Sequence, residues 1–344
     1  MHYSHVCLDT FAYELPPEVI TSEDIETRLA SVYERLRLPA GRLELMSGIK
    51  ERRLWHGGTK PSQAATFAGR RVLEEAKVDP EEIDCLIFTS VSRDMMEPAT
   101  ASFVHNNLGL SSSALILDIS NACLGFLDGM LMLANMIELG QVRNGLIVSG
   151  ETAEELLEST MMALLSDETL SRKSIKPAFA SLTIGSGSIG VFMRRVKENE
   201  DRPRLVHGAW RANTRHSDLC HGDQSGANTT LMATNSEELL HKGVETARMT
   251  WEEFSSKSGW GGADIDRFFC HQVGSAHAKL LFTSLGLTPA KNFETLATLG
   301  NVGSVSAPIT MAMAMEQGAF LPGQKGALLG IGSGINCMML GVEW

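Results

Sequence analysis

The sequence predicts an α/β protein built from one unit used twice, and three features carry that expectation. Short, continuously apolar runs bounded by turn residues alternate with longer segments of helical periodicity, the pattern of sheets covered by helices on both faces. Ile83-Asp84-Cys85-Leu86-Ile87-Phe88 aligns with Ile265-Asp266-Arg267-Phe268-Phe269-Cys270 at an offset of 265 − 83 = 182, and Gly145-Leu146-Ile147-Val148 aligns with Gly326-Ala327-Leu328-Leu329 at 326 − 145 = 181. Each half also places a Met-rich amphipathic helix before that last strand, over residues 124–139 and 309–317. Nearly equal offsets over some sixty residues point to duplication. The charged stretch 197–203 is the expected connection, which gives an N-terminal half of 1–198 and a C-terminal half of 199–344.

The elements follow in order. Thr21-Ser22-Glu23-Asp24 is a capping-box start for a helix over 25–36, and a second helix over 62–76 runs into the turn Val78-Asp79-Pro80-Glu81. Buried strands are predicted over 83–90, 114–119, 145–148, 189–193, 267–270, 327–330 and 337–342. Segment 151–176, rich in Glu, Met and Leu, reads as a helical insertion that shapes either a substrate tunnel or a dimer contact. The methionines of the two matched helices (130, 132, 136 and 311, 313, 315) fit core packing, and equally the flexible walls of an alkyl tunnel.

Composition narrows the function. The chain has 344 residues, 43% hydrophobic and 21% charged, which excludes a disordered protein. Thirty cations against 41 anions leave a net charge of −11, which argues against nucleic acid or a membrane surface as partner. The most apolar stretch, 124–137, contains Asp128 and Asn135 and falls short of the ~20 apolar residues of a membrane span. The first residues show no secretory pattern, and six dispersed cysteines (7, 85, 123, 220, 270, 337) form no C-x-x-C pair. Both suggest a cytoplasmic protein with reduced thiols. His216, Cys220 and His221 cluster within six residues, but with no second cluster to complete a ligand set no metal is expected.

Four groups can carry chemistry. Cys123, in Asn121-Ala122-Cys123-Leu124-Gly125-Phe126, falls at a strand-to-helix turn, where a helix N-terminus is expected to favour thiolate. Taken alone it also fits an inert core thiol. His271 ends a buried strand, the side of an α/β sheet where ligand crevices lie. Gly300-Asn301-Val302-Gly303-Ser304 is the second half's counterpart of the Cys123 turn, since 123 + 182 = 305, so pseudo-twofold symmetry brings Asn301 towards Cys123. Gly330-Ile331-Gly332-Ser333-Gly334-Ile335-Asn336 offers backbone N–H groups suited to an oxyanion, or simply a tight turn. Thiol, imidazole, amide and backbone donors together suit acyl-thioester chemistry.

These residues resemble the thiolase superfamily, specifically its 3-oxoacyl-acyl-carrier-protein synthase III branch. The resemblance rests on Gly48-Ile49-Lys50-Glu51-Arg52-Arg53, the Cys123 motif, Leu182-Thr183-Ile184-Gly185-Ser186-Gly187, His271-Gln272, Gly300-Asn301 and Gly330 to Gly334, all in family order. It implies a five-layered αβαβα thiolase fold and a homodimer. It also implies a Cys123–His271–Asn301 site, with the N–H groups of Cys123 and Ser333 as a second oxyanion hole. Acyl-CoA would be substrate rather than cofactor, and no cofactor is implied. The adenine-clamping Trp and Arg of ordinary members are missing around 42–47, so no coenzyme A contact is assigned.

The loop Thr89-Ser90-Val91-Ser92-Arg93-Asp94-Met95-Met96-Glu97-Pro98 departs from ordinary synthase III proteins and is similar to the OleA-type long-chain acyl-CoA condensing enzymes. Joining two unactivated acyl chains requires removal of an α-proton, whereas decarboxylation of a malonyl thioester does not. The resemblance therefore makes Glu97 a base acting across the dimer; read alone, it fits a solvated loop carboxylate. The expected activity is non-decarboxylative Claisen condensation of two fatty acyl-CoAs to a 2-alkyl-3-oxoacyl-CoA. The alternatives are a decarboxylating 3-oxoacyl-ACP synthase III, which would take an acyl carrier protein as partner, and a non-catalytic dimer partner, against which the intact Cys123 set argues.

Overall fold

The computed structural model describes residues 1–198, 200–225 and 229–344; Asn199, inside the expected connection, lies outside the described residues. The strands are β1 (Val6–Glu14), β2 (Glu18–Thr21), β3 (Glu51–Leu54), β4 (Cys85–Phe88), β5 (Leu115–Asp118), β6 (Asn144–Glu151), β7 (Gly187–Arg195), β8 (Arg204–Ala212), β9 (Cys220–Ser225), β10 (Thr229–Thr234), β11 (Arg267–Cys270), β12 (Lys325–Gly332) and β13 (Asn336–Glu343). Nine of them form one sheet in the order β11-β12-β13-β8-β1-β7-β6-β4-β5.

Inward from β11 and from β4 the sheet repeats itself, with β5 lying beyond β4 as an extra edge strand. β4 pairs parallel with β6, which pairs antiparallel with β7, which pairs antiparallel with β1. In the same way β11 pairs parallel with β12, then β12 with β13 and β13 with β8 antiparallel. The two series meet at β1 and β8, whose ladder is a single pair, Cys7 with Arg204.

Alternation within the apolar runs explains why they carry no polar face. Ile147, Val191, Phe269 and Leu328 point inward to a cluster shared with Phe126 and Met130 of helix Gly125–Glu138 and Met311 of helix Ser306–Glu316. Their neighbours Leu146, Val148 and Phe192 face helices Pro61–Ala76 and Thr100–Leu108. Phe268 and Leu329 face helices Ser236–Ser258 and Ser275–Leu285. The result is five layers, with the two matched helices in the middle. Each fully buried Leu or Phe in these layers contributes about 1.5–3 kcal/mol.

Thr21 caps its helix as expected, its hydroxyl accepting from Asp24 N at 3.0 Å. The single helix expected over 25–36 is two, Ser22–Arg28 and Ala30–Leu36, broken at buried Leu29. In the 151–176 segment the helix is Glu154–Ser166; its Leu157, Met161 and Leu164 pack with Ile25, Leu29, Val32 and Leu43 in a fourth cluster that also contains Leu182. Of the methionines, 130 and 311 are fully buried, whereas Met132 is 46% exposed. No described helix is long and apolar enough to cross a membrane.

Candidate active site

The Cys123 turn links β5 to helix Gly125–Glu138 and is tightly wound. Ala122 adopts φ +45°, a left-handed conformation that costs a residue with a side chain about 1–2 kcal/mol. Gly125 lies against the end of β4, where a Cβ would come within 2.3 Å of Thr89 O. The second half fastens this turn: Asn336 Nδ2 donates to Asn121 Oδ1 at 2.9 Å, and Asn121 Nδ2 donates to Asp128 Oδ2 at 2.8 Å. Asn336 Nδ2 also reaches Ser333 O at 3.3 Å, fixing the Ser333 turn beside the Cys123 turn. A Cβ on Gly330 would lie 2.4 Å from Leu124 Cδ2, and one on Gly332 3.7 Å from Cys123 N, so the glycines allow the end of β12 to pack directly on the turn.

The thiol is not activated in the way the helix terminus suggested. Burial, then the negative charge of Glu151, and then Cys220, push Cys123 up to about 12, and its own N–H counteracts this only weakly. Desolvation outweighs the terminus because it acts on the whole thiolate charge.

His271 follows β11, with its N–H bonded to Leu329 O at 2.8 Å. Both ring nitrogens are buried and have no partner among the described residues. Burial, then His277, hold it down to about 4. At neutral pH it is therefore an uncharged imidazole with one unused N–H. Its neighbour Gln272 reaches forward to the chain leading to Asn301, accepting from Thr295 N at 3.0 Å and donating to Phe293 O at 3.2 Å.

Asn301 is held by the Leu182–Gly187 motif. Gly185 N donates to Asn301 O at 2.8 Å, and Asn301 N donates to Thr183 O at 3.0 Å. A Cβ on Gly185 would meet Leu299 O at 2.2 Å, and one on Gly300, at φ +69°, would meet Thr183 O at 2.7 Å; both glycines are required by this close approach. Beneath them Arg52, with no exposed surface, donates to Leu182 O at 3.1 Å and to Ser22 Oγ at 3.2 Å. Asn301 Oδ1 accepts from Gly303 N at 3.1 Å, which leaves Nδ2 as the outward donor.

Glu97 stands at the exposed tip of the loop between β4 and helix Thr100–Leu108, beside Met96, which is 92% exposed. The loop is gripped below the tip: Asp94 accepts from Ser62 N at 2.8 Å and Oγ at 2.6 Å, and Asp118 accepts from Thr100 N and Ala101 N at 2.7 and 2.8 Å. In one chain, then, the Cys123 turn is bonded to Asn336 and His271 to Leu329 of β12, Gln272 links His271 to the chain leading to Asn301, and Glu97 stands exposed at its loop tip.

Sequence reasoning missed Glu151, the last residue of β6 and only 4% exposed. Its carboxylate accepts bonds from both the Glu97 loop and the Asn301 turn. A charged residue closing a buried strand whose centre is the apolar run Leu146-Ile147-Val148 was the available signal. The His216–His221 cluster has ordinary partners, with Cys220 Sγ at 3.4 Å from Thr234 Oγ1. Among the described residues no group of three His, Cys, Asp or Glu is placed to hold a metal.

Family models for 3-oxoacyl-[acyl-carrier-protein] synthase III match residues 117–167, and its C-terminal domain matches 256–344. The acyl-CoA:acyl-CoA alkyltransferase of Shewanella oneidensis is 40% identical over 351 residues, and that of Xanthomonas campestris 37% over 344, each covering 100% of both chains. Among solved structures, several forms of Xanthomonas campestris OleA match, three of them substituted forms at 36% identity and 100% of this chain. One carries alanine for a cysteine (TM-score 0.95, 98% of that chain), one alanine for a histidine (0.94, 100%) and one glutamine for a glutamate (0.95, 98%). With likeness running the full length of both partners and the fold superposing throughout, the chain belongs to the acyl-CoA:acyl-CoA alkyltransferase (OleA) family of thiolase-fold enzymes.

Proposed function

We propose that this protein is an acyltransferase that joins two fatty acyl-CoAs, without decarboxylation, into a 2-alkyl-3-oxoacyl-CoA through an acyl-Cys123 intermediate. The observation that carries this reading is the full-length likeness to two acyl-CoA:acyl-CoA alkyltransferases. Cys123 Sγ attacks the first thioester carbonyl, the oxyanion is taken by the N–H groups of Cys123 and Ser333, and CoA leaves with the proton the thiol gives up. The second acyl-CoA places its carbonyl on the His271 N–H and Asn301 Nδ2. Being neutral, His271 serves there as a hydrogen-bond donor. The partner subunit's Glu97 takes the α-proton, the enolate attacks the acyl carbon, and the new C–C bond forms as the C–S bond breaks. Cys123 leaves as thiolate and recovers a proton from the Glu97 carboxyl. No cofactor enters these steps; acyl-CoA is consumed as substrate.

Spacing supports the assignment of Glu97 and Cys123. The glutamate and cysteine replaced in the Xanthomonas variants stand 26 residues apart in that protein, and here 123 − 97 = 26. A homodimer is part of the proposal because Glu97 needs a partner's site to act on. The apolar exposed tip (Met95, Met96) and the edge strand β5, with Leu115 45% exposed, are the surfaces that favour it. We place the working protein in the cytoplasm, as two halves meeting near residue 198. Its further partners in this proposal are acyl carrier protein or enzymes that process the product.

The test supplies purified protein with one long-chain acyl-CoA and no malonyl thioester, following free CoA and products by mass spectrometry. A β-keto product, or its decarboxylated ketone, is expected. Glu97→Gln should abolish it while Cys123 still becomes acylated. Product formation only after malonyl-CoA is added would favour the decarboxylating synthase instead.

A further inference from the structure

The Glu151 side chain accepts five hydrogen bonds. Oε1 takes Val91 N at 2.9 Å, Ser304 N at 3.1 Å and Ser304 Oγ at 2.7 Å; Oε2 takes Ser92 N at 3.1 Å and Ser92 Oγ at 3.0 Å. Val91 and Ser92 begin the loop that ends at Glu97, and Ser304 belongs to the turn that holds Asn301. One buried carboxylate thus ties together the roots of two groups that, on the reading above, act in the second half of the reaction. Around it the hydroxyls continue the link: Ser304 Oγ meets Ser149 Oγ at 2.7 Å, Ser149 Oγ meets Ser90 Oγ at 3.1 Å, and Ser90 Oγ accepts from Gly150 N at 2.7 Å. Gly303 has no room for a side chain, since a Cβ would lie 2.8 Å from Glu151 Oε1.

We infer that Glu151 is a positioning residue for condensation, setting the Asn301 turn of its own site in register with the Glu97 loop that serves the partner's site. The inference rests on the proposed acyl-CoA condensation, because only there do both groups tied by one Glu151 serve the same step, Asn301 in its own site and Glu97 in the partner's. A carboxylate suits the place because it is acceptor-only, and three of its five partners are backbone N–H groups that can only donate. An amide of the same shape satisfies one side alone. With its oxygen towards Val91 and Ser304, its NH₂ faces Ser92 N–H, donor against donor. Glu151→Gln therefore loosens the Glu97 loop first.

The experiment compares wild type, Glu151→Gln and Ser92→Ala with one long-chain acyl-CoA, measuring Cys123 acylation by intact mass and condensation by product yield. For Glu151→Gln acylation should stay within about threefold, while condensation falls about 100-fold, the scale of a 1 Å misplacement. The pH profile of Cys123 alkylation by iodoacetamide should move to lower pH, because the Glu151 charge that opposes the thiolate is gone. Ser92→Ala keeps the carboxylate and loses one bond; its condensation should fall about tenfold with the alkylation profile unmoved, which keeps the idea testable if Glu151→Gln folds poorly. Condensation unchanged in either folded variant, or acylation and condensation falling in parallel with an unmoved profile, overturns the role. Wild-type protein that forms a β-keto product only with malonyl thioester defeats the acyl-CoA reading instead, whatever Glu151 does.

Discussion

Replacing Gly185 by alanine should damage condensation selectively, and the structure sets the scale. The new Cβ would sit 2.2 Å from Leu299 O, inside the 3.0 Å below which such contacts essentially never occur, so the two segments must part by at least 3.0 − 2.2 = 0.8 Å. Leu299 lies two residues before Asn301, and the separation falls on the backbone exchange of 2.8 and 3.0 Å that holds Asn301 in place. A shift of this size at a group that holds the reacting carbonyl corresponds to about 100-fold in rate. Weakening two backbone bonds, each worth about 0.5–1.5 kcal/mol net, costs about 1–3 kcal/mol. At about 2.1 cal/mol/K per residue, that lowers the melting temperature by about 1–4 °C. Turnover to β-keto product, the single-turnover release of CoA that reports acylation, and thermal melting should be read on the same preparation. Condensation within threefold of wild type would refute the steric argument. Acylation lost in proportion would refute its route through Asn301, because the Gly185 segment holds Asn301 and not the Cys123 turn.

Three further outcomes follow from the same geometry. His271 has a folded pKa near 4, below its ordinary 6.5, so the stability of its neutral burial is complete above 6.5 and is lost as pH falls towards 4. Condensation measured against pH should accordingly show no His271 limb near 6.5, and an acid limb there would contradict the neutral-donor role. Alkylation of Cys123 should keep rising through pH 10, without the plateau near 8.5–9 of an ordinary thiol, since burial holds its pKa near 12. Asn336→Ala removes the bonds to Asn121 Oδ1 and Ser333 O, so acylation, read as the CoA burst, should slow by about 10-fold or more; an unchanged burst would mean the clasp does not shape the oxyanion hole.

Strands buried on both faces were legible because their apolarity is continuous: β4, β6, β11 and β13 appear where the runs of Ile, Leu, Val, Phe and Met predict them. β1 and β8 were not foreseen, although they join the halves. β1 carries Asp9 and Thr10 mid-strand, and Asp9 is accommodated by the Arg194 guanidinium of β7, a pairing 185 residues away that no local pattern reveals. The Gly-rich and Cys123 motifs were visible, but not their use: Gly185 serves the backbone approach of Leu299 and Asn301, and Asn121 and Asn336 clasp the two halves. The thiol's environment was misjudged because a helix terminus shows in sequence, whereas burial and the charge of Glu151 come from tertiary structure. The crevice argument that singled out His271 at the end of β11 applies equally to the end of β6, where it finds Glu151.

The place of β1 also bears on synthesis. β1 sits between β7 and β8, so during synthesis its ladder has no partner until β7 begins at Gly187, 187 − 14 = 173 residues after β1 ends. At about 5–20 residues per second, the segment Val6–Glu14 waits roughly 9–35 s with an apolar face and two unpaired edges. Sheet edges left open that long are templates for pairing with other nascent chains. The step most exposed to aggregation thus belongs to β1, and its wait ends only as β7, the last strand of the N-terminal half, emerges.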